Sequence, residues 1–431
     1  MGSQIRRIHR FAIVLIIHKI RNNKKILSNF SWLAILEIFI LIAPLLTYPY
    51  LVRTLGRELY GWVITAQITA SYCTVLIDFG FKRISARHIA KNVDNPARMG
   101  EVISSILILR WILWLSSFII YFIVVWITTP YREHLTLFLF SFLTTLSSVL
   151  FLDFYFQGIE DMKYITIINI IVRGVFVAAT FYVISSPEDY IFVPLLWSIG
   201  YALGGALSIW IVLFCHKLPL TLPRMGVLKR HLHEGATIFF SDAMLTIKDK
   251  LNYNIMGALL GMSDIVIYDI GSKISSLMQK PVTILSTVLF PKMAQSPTIT
   301  FAKKMLIYII LLTSILTGVV NIFLPWIVKF FIMEDIDITA IRIYTLAPII
   351  VGVSSFMAVN IFYSFGKDKW ILKSTYLTTF AYIILLGIMY LSGLLTTVKS
   401  FVYLTIISYL VEAIYRYILA NRIFKENNIT E

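Results

Sequence analysis

Runs of 20 or more mainly apolar residues alternate along the chain with short polar or turn-rich breaks, and twelve such runs can be counted. They fall at 29–52, 59–80, 101–126, 135–157, 164–184, 191–214, 235–260, 265–290, 305–330, 341–363, 373–393 and 400–420. A helix needs about 20 apolar residues to cross the roughly 30 Å hydrocarbon layer of a bilayer. The pattern therefore predicts an all-α polytopic membrane protein of about twelve transmembrane helices. Ahead of the first run, Arg6, Arg7, Arg10, Lys19, Arg21, Lys24 and Lys25 surround an apolar stretch at 11–17 that is too short to span. Residues 1–28 are expected to be a basic interfacial head, since such a helix lies in the headgroup plane. No small-residue cleavage site follows it, which argues against a secretory leader.

The longest break, 215–234, is basic and contains Pro219 and Pro223, and it divides the runs six and six. That spacing predicts an N-terminal six-helix lobe at 29–214, a cytoplasmic linker at 215–234, a C-terminal six-helix lobe at 235–420 and a cytoplasmic tail at 421–431. A transporter built from parallel repeats has this layout.

Composition narrows the function. Of 431 residues 58% are hydrophobic and 14% charged, against about 45–50% and about 25% in soluble chains. Twelve spans leave no room for a folded soluble domain, and no G-x-x-x-x-G-K-[ST] loop is present. Nucleotide-driven pumps, DNA-binding modules and large catalytic ectodomains are thereby excluded. The net charge of +15 has a topological meaning instead. With the N-terminus inside, alternate breaks carry 25 Lys and Arg on the cytoplasmic side and only Arg53, Arg57, Arg132 and Lys399 on the other. Excess Lys and Arg stay in the cytoplasm, so both termini are expected there.

The remaining basic residues lie within or at the ends of spans, where a central charge costs about 2.5–3.5 kcal/mol and normally faces a protein interior or a wet cavity. They cluster. The seventh span holds Asp242, Lys248, Asp249 and Lys250, and the eighth holds Asp269, Lys273 and Lys280. The seven-residue spacing of Asp242 with Asp249 and of Lys273 with Lys280 puts each pair on one helix face. The first six spans contribute Glu37, Asp78, Arg110, Asp153 and Arg173, and the twelfth contributes Glu412 and Arg416. Asp269 with Lys273, and Glu412 with Arg416, have the i, i+4 spacing of simple neutralising pairs. Lys280 has no acid one turn away, so spans seven and eight are expected to border a hydrated, net-positive cavity, attractive to phosphate, pyrophosphate or acidic sugars. Tyr253 and Tyr268 lie near these stripes and are candidates for stacking on sugar rings.

Catalytic constellations are absent. Asp335-Ile336-Asp337 has a D-x-D form but falls on a short outer turn, and is expected to be solvated. His231-x-His233 has no Cys or His partners for a metal. Cys73 and Cys215 match no thiol or zinc motif.

One stretch carries a family signature: Pro44-Leu-Leu-Thr-Tyr-Pro-Tyr-Leu-Val-Arg53-Thr-Leu-Gly56-Arg-Glu58-Leu-Tyr60-Gly61, then Asp78-Phe-Gly80-Phe and Ala86-Arg87-His-Ile-Ala90. It resembles the opening of the polysaccharide transporter family of the multidrug/oligosaccharidyl-lipid/polysaccharide exporter superfamily, the O-antigen-type flippases. The run from Tyr268 through Gly271-Ser-Lys273 to Leu289-Phe-Pro291 is similar to the second lobe's opening pair. The resemblance implies no enzyme and no cofactor. It implies a bacterial inner-membrane flippase that moves an undecaprenyl-diphosphate-linked oligosaccharide to the outer leaflet by alternating access. Coupling to H+ or Na+ and cooperation with a polysaccharide polymerase and a chain-length regulator are implied too; nucleic acid is not a partner. On this reading Arg53, Arg110, Arg173, Lys248, Lys250, Lys273 and Lys280 are the candidate substrate-binding cations. Asp249, Asp269 and Glu37 are candidate coupling carboxylates, while Gly56, Gly61 and Asp78 shape the turns; Asp78 is placed to cap or to pair with Lys82. A major-facilitator carrier is disfavoured because its G-x-x-x-D-[RK]-x-G-[RK]-[RK] loop is not matched around Asp78. A cation extruder is disfavoured by the cavity's sign, and an integral-membrane polymerase by the lack of a large outer loop.

Overall fold

In a computed structural model, which describes residues 2–295, 298–334 and 336–427, every regular element is an α-, 3-10 or π-helix. Asp335, the basic side chains of the head and the end of the tail lie outside what is described.

Helix α1 (Gly2–Asp78) carries the head and the first two runs, and it folds back at Gly56 (φ 77, ψ 162). Only glycine occupies that backbone region without strain. A second break at Phe79 and Gly80, with φ of 44 and 73, leads into α2 (Phe81–Ala90). Asn95 then caps α3 (Pro96–Ile127) by accepting from the Arg98 amide at 3.1 Å. Its side chain satisfies an amide that the helix start leaves unpaired.

The first half continues through α4 (Thr129–Glu133), α5 (Leu135–Leu143), α6 (Leu146–Leu150), α7 (Asp153–Gly158), α8 (Met162–Val183) and α9 (Phe192–Trp210). The second half holds α10 (Met225–Leu259), α11 (Met262–Gln295), α12 (Ile299–Ile332), α13 (Thr339–Tyr344), α14 (Ala347–Phe356), α15 (Asp368–Leu391) and α16 (Val398–Asn427).

Nine helices among the described residues are long and apolar enough to cross a membrane. The count differs from twelve for two reasons. Ser28–Ala90 is one helical run of 63 residues covering two apolar windows, and α10 and α11 carry the embedded charges that lower their apolarity. Large apolar side chains are exposed along α1 (Ile38, Ile42, Leu46), α3 (Leu115, Ile119, Ile123) and α12 (Leu311, Ile315, Trp326). These are surfaces for lipid rather than water. The protein is a multi-pass membrane protein.

Two spans are interrupted in the same way. Between α5 and α6 stand Thr144 and Thr145, and between α13 and α14 stand Thr345 and Leu346. Thr145 Oγ1 donates to the Phe142 carbonyl at 2.6 Å and accepts from Trp114 Nε1 of α3 at 2.9 Å. Thr345 Oγ1 donates to the Arg342 carbonyl at 2.7 Å and accepts from Asn321 Nδ2 of α12 at 2.8 Å. Each span is then disturbed again, at Phe151 and Leu152 in the first half and in a π-helical turn at Met357–Phe362 in the second.

The apolar core has three parts. One belongs to the first half (Phe81, Ile103, Phe154, Val212) and one to the second (Ile309, Phe356, Ile361, Ile423). The third joins both halves near the Gly56 bend, bringing Tyr48, Leu55 and Phe138 together with Val266, Phe331 and Phe401. Here the backbones meet closely: a Cβ on Gly61 would lie 2.0 Å from the Met262 carbonyl oxygen. Gly61 sits within the helix, so its role is this approach rather than the turn.

Candidate functional site

A cavity of about 350 Å3 opens within the second half. Its charged wall is built by α10 and α16 together. Lys248 Nζ lies 2.6 Å from Glu412 Oε2, and Arg416 Nη2 lies 2.7 Å from Glu412 Oε1. All three are buried, at 7% exposure each. Arg416 extends the network, donating from Nε to Ser374 Oγ at 3.0 Å and from Nη1 to the hydroxyl and carbonyl oxygens of Ser354 at 3.0 and 3.3 Å. Such saturation is what lets charges remain buried, since an unpaired one costs several kcal/mol. Asp249 and Lys250 line the same cavity, and neither has an ion-pair partner among the described residues. Three cations and two carboxylates therefore face the space, with Tyr253, Tyr344, Tyr409, Ser272, Ser276 and Gln279 completing it.

Beside this wall lies a second polar network. Asn252 accepts from the Tyr382 hydroxyl at 2.7 Å and donates to Tyr268 and Thr405 at 3.0 and 2.8 Å. Tyr253 donates to Asp269 at 3.2 Å, and Asp269 also pairs with Lys273. Tyr253 reaches the cavity while Tyr268 does not line it.

The other expected cations are dispersed. Lys280 pairs with Glu37 at 2.6 Å, across 243 residues, and with Lys273 it lines an apolar recess beside Pro44 and Ile274. The shared face of Lys273 and Lys280 thus appears, but away from the charged cavity. Arg173 lies over the Trp197 ring, 5.7 Å from its centroid. Arg53 is at the bend, donating to the Phe330 carbonyl at 2.8 Å. Beside it Arg57 meets Glu334 at 2.9 Å.

Arg110 occupies a separate recess of about 490 Å3 lined mainly by the first half, with Asp78, Lys82 and Asp153, and by Asp242 of α10. Asp78 pairs with Arg110 at 2.6 Å, not with Lys82, which reaches Asp153 at 2.6 Å. The break at Phe79 and Gly80 is the reason, because the four-residue spacing no longer lies on one continuous helix. Asp242 and Asp249 also part company, Asp242 lining the first-half recess and Asp249 the second-half cavity. Seven residues advance about 10 Å along a helix, so one face reaches two spaces.

Sequence reading treated Glu412 and Arg416 as a self-contained pair and so missed Glu412 as the partner of Lys248. Their burial on the last span was the available signal. At the turn before α13 Asp337 binds Lys399 at 2.6 Å, and that ammonium with Thr339 holds its carboxyl well below the usual range. Among the described residues no three His, Cys, Asp or Glu side chains converge to hold a metal.

Two halves of interrupted helices, joined at one end and each bordering a charged recess, make up this membrane-protein fold. It matches the inward-facing conformation of a multidrug resistance MATE family transporter of the MOP superfamily with a TM-score of 0.69, at 14% identity, over 92% of this chain and 99% of that one. The chain belongs to the polysaccharide biosynthesis protein family, whose pattern matches residues 26–296. It is 22% identical over 290 residues to a protein of Escherichia coli (strain K12) named as an O-antigen transporter, covering 66% of this chain and 69% of that protein. A Shigella dysenteriae protein of the same name is 23% identical over 267 residues, covering 62% and 67%.

Proposed function

We propose that this protein is a flippase that carries an undecaprenyl-diphosphate-linked oligosaccharide from the cytoplasmic to the periplasmic leaflet of a bacterial inner membrane. The observation that carries the reading is the cavity where Lys248 and Arg416 share Glu412 while Lys250 stands without an ion-pair partner among the described residues. A diphosphate competes with Glu412 for those cations, because charge-assisted bonds to phosphate oxygens match the ones that it replaces. Family membership and the two relatives named as O-antigen transporters support this substrate class over a small-molecule carrier.

The reading includes twelve spans in two six-helix lobes, at 29–214 and 235–420, with both termini in the cytoplasm. In that orientation the Gly56 bend faces the periplasm. The contacts there, Arg53 with Phe330 and Arg57 with Glu334, are the outer closure of an alternating-access cycle. Asp249, exposed in the cavity and without an ion-pair partner among the described residues, leads Asp269 and Glu37 as the carboxylate that couples transport to H+ or Na+. A polysaccharide polymerase and a chain-length regulator would act on the product.

Deleting the gene in its host, then measuring surface polysaccharide and the leaflet of the lipid-linked oligosaccharide, tests this function. Complete repeat units trapped on the cytoplasmic leaflet are expected. Unpolymerised repeats on the outer leaflet would make the protein a polymerase, and unchanged surface polysaccharide would return the small-molecule carrier to the lead.

A further inference from the structure

The first-half recess is larger than the cavity assigned to the diphosphate, and its chemistry differs. We infer that it is the saccharide subsite, built for hydroxyl- and amide-bearing sugars, neutral rather than acidic. This deepens the flippase reading and rests on it.

Charge balance separates the two spaces. Asp78, Asp153 and Asp242 line the first recess and are matched one for one by Arg110, Lys82 and Arg83, whereas the second-half cavity holds Lys248, Lys250 and Arg416 against Asp249 and Glu412. A diphosphate is drawn to the second space, whereas the first offers an anion no unmatched cation.

Unused hydrogen-bonding capacity marks the recess as well. Asp78 Oδ1 accepts from Arg110, and Asp242 Oδ1 accepts from Arg83 at 3.2 Å. The second oxygen of each carboxylate has no hydrogen bond or ion pair among the described residues. Asn169 donates Nδ2 to the Ile165 carbonyl at 2.8 Å, which leaves its Oδ1 to accept. Arg110 lines the recess at 1% exposure, and its Nε–H has no acceptor among the described residues. A buried donor without a partner is costly, by about 1–3 kcal/mol, and implies a missing acceptor. Sugars carry hydroxyl donors for the carboxylates and oxygen acceptors for the guanidinium in one ring.

The recess is also built like the assigned cavity. Arg110 ties a carboxylate, Asp78, to the Phe151 carbonyl at 3.4 Å, where the span through α5 to α7 is interrupted. Arg416 ties Glu412 to the Ser354 carbonyl in the interrupted span through α13 and α14. Matched interruptions in the two halves of a transporter point to where ligand binds. Here they point to both spaces, with one anchoring arginine apiece.

Native mass spectrometry of the full-length protein in nanodiscs, titrated with undecaprenyl diphosphate and with the same lipid bearing one N-acetylhexosamine, tests the inference. The wild type is expected to bind the glycosylated lipid about tenfold more tightly, a difference of about 1.4 kcal/mol. Asn169→Ala and Asp242→Asn should bring that ratio close to one while leaving the bare-lipid Kd unchanged. Lys248→Ala should weaken both lipids alike. A wild type without preference for the sugar, or recess variants that keep the full ratio, would overturn the subsite. A wild type that binds neither lipid overturns the diphosphate reading itself, a failure visible before any variant is compared.

Discussion

Glu412 is held by two cations at once, Lys248 at 2.6 Å on Oε2 and Arg416 at 2.7 Å on Oε1. The arrangement makes the three residues unequal. Lys248→Met leaves Glu412 and Arg416 as a balanced pair, whereas Glu412→Gln leaves two buried cations facing each other. Losing the partner of a buried charge costs about 3–5 kcal/mol. Glu412→Gln should therefore lower the Tm of the purified protein far more than Lys248→Met does, while both abolish transport. Equal Tm losses would mean that Lys248 and Arg416 do not share the carboxylate.

The contact between Arg57 and Glu334 at the Gly56 bend should be lockable. In a background with Cys73→Ser and Cys215→Ser, which removes both native thiols, cysteines replacing Arg57 and Glu334 can be joined by a short thiol-reactive linker. Cross-linking should stop lipid translocation in vesicles, and a reductant that cleaves the linker should restore it. Transport that continues through the cross-link would show that these ends need not part.

Gly61 has no room for a methyl group. A Cβ there would collide with the Met262 backbone, whereas at Gly226 nothing lies within 4 Å. Gly61→Ala forces the halves apart at their shared core, so its folded yield and Tm should fall, with overpacking costing roughly 1–3 kcal/mol. Gly226→Ala is the control and should behave as wild type.

Acidification should loosen the contact of α2 with the start of α10. His231 is buried there, edge-on to His88 at 5.4 Å and near Arg230 and Glu234, and neither ring nitrogen has a partner among the described residues. Burial, then the neighbouring His88 and Arg230, push its pKa from 6.5 to about 4. Since the folded value is the lower one, the unfolded segment binds the proton first. The stability that neutral His231 supplies is present above about pH 6.5 and is lost as the pH falls towards 4. Hydrogen exchange should show α2 and the first turns of α10 losing protection across that window. His231→Leu should flatten the dependence, and an unchanged slope would assign it elsewhere.

Hydropathy made the helical architecture legible, because apolar runs of span length have few other uses. The embedded charges were legible as a list but not as a site. Lys280 lacked an acid within one helical turn, yet its partner Glu37 is 243 residues away. Lys248 likewise finds Glu412 164 residues away. Periodicity reports which residues share a helix face and says nothing about the facing helix, so pairings between spans stayed hidden. The break at Phe79 and Gly80 also redirected Asp78 in a way that residue spacing does not register.

Thr145 and Thr345 hold the same post in the two halves, each hydroxyl bonded back one turn and to a side chain of the neighbouring long helix. A straight span resists bending along its whole length, whereas a jointed one yields at the joint. Each half thus owns a fulcrum, and each fulcrum is fastened to an adjacent strut, Trp114 on one side and Asn321 on the other. Tilting one half then displaces a strut as well as a joint, so the segments on either side of the threonine act as a linked lever rather than as loose ends.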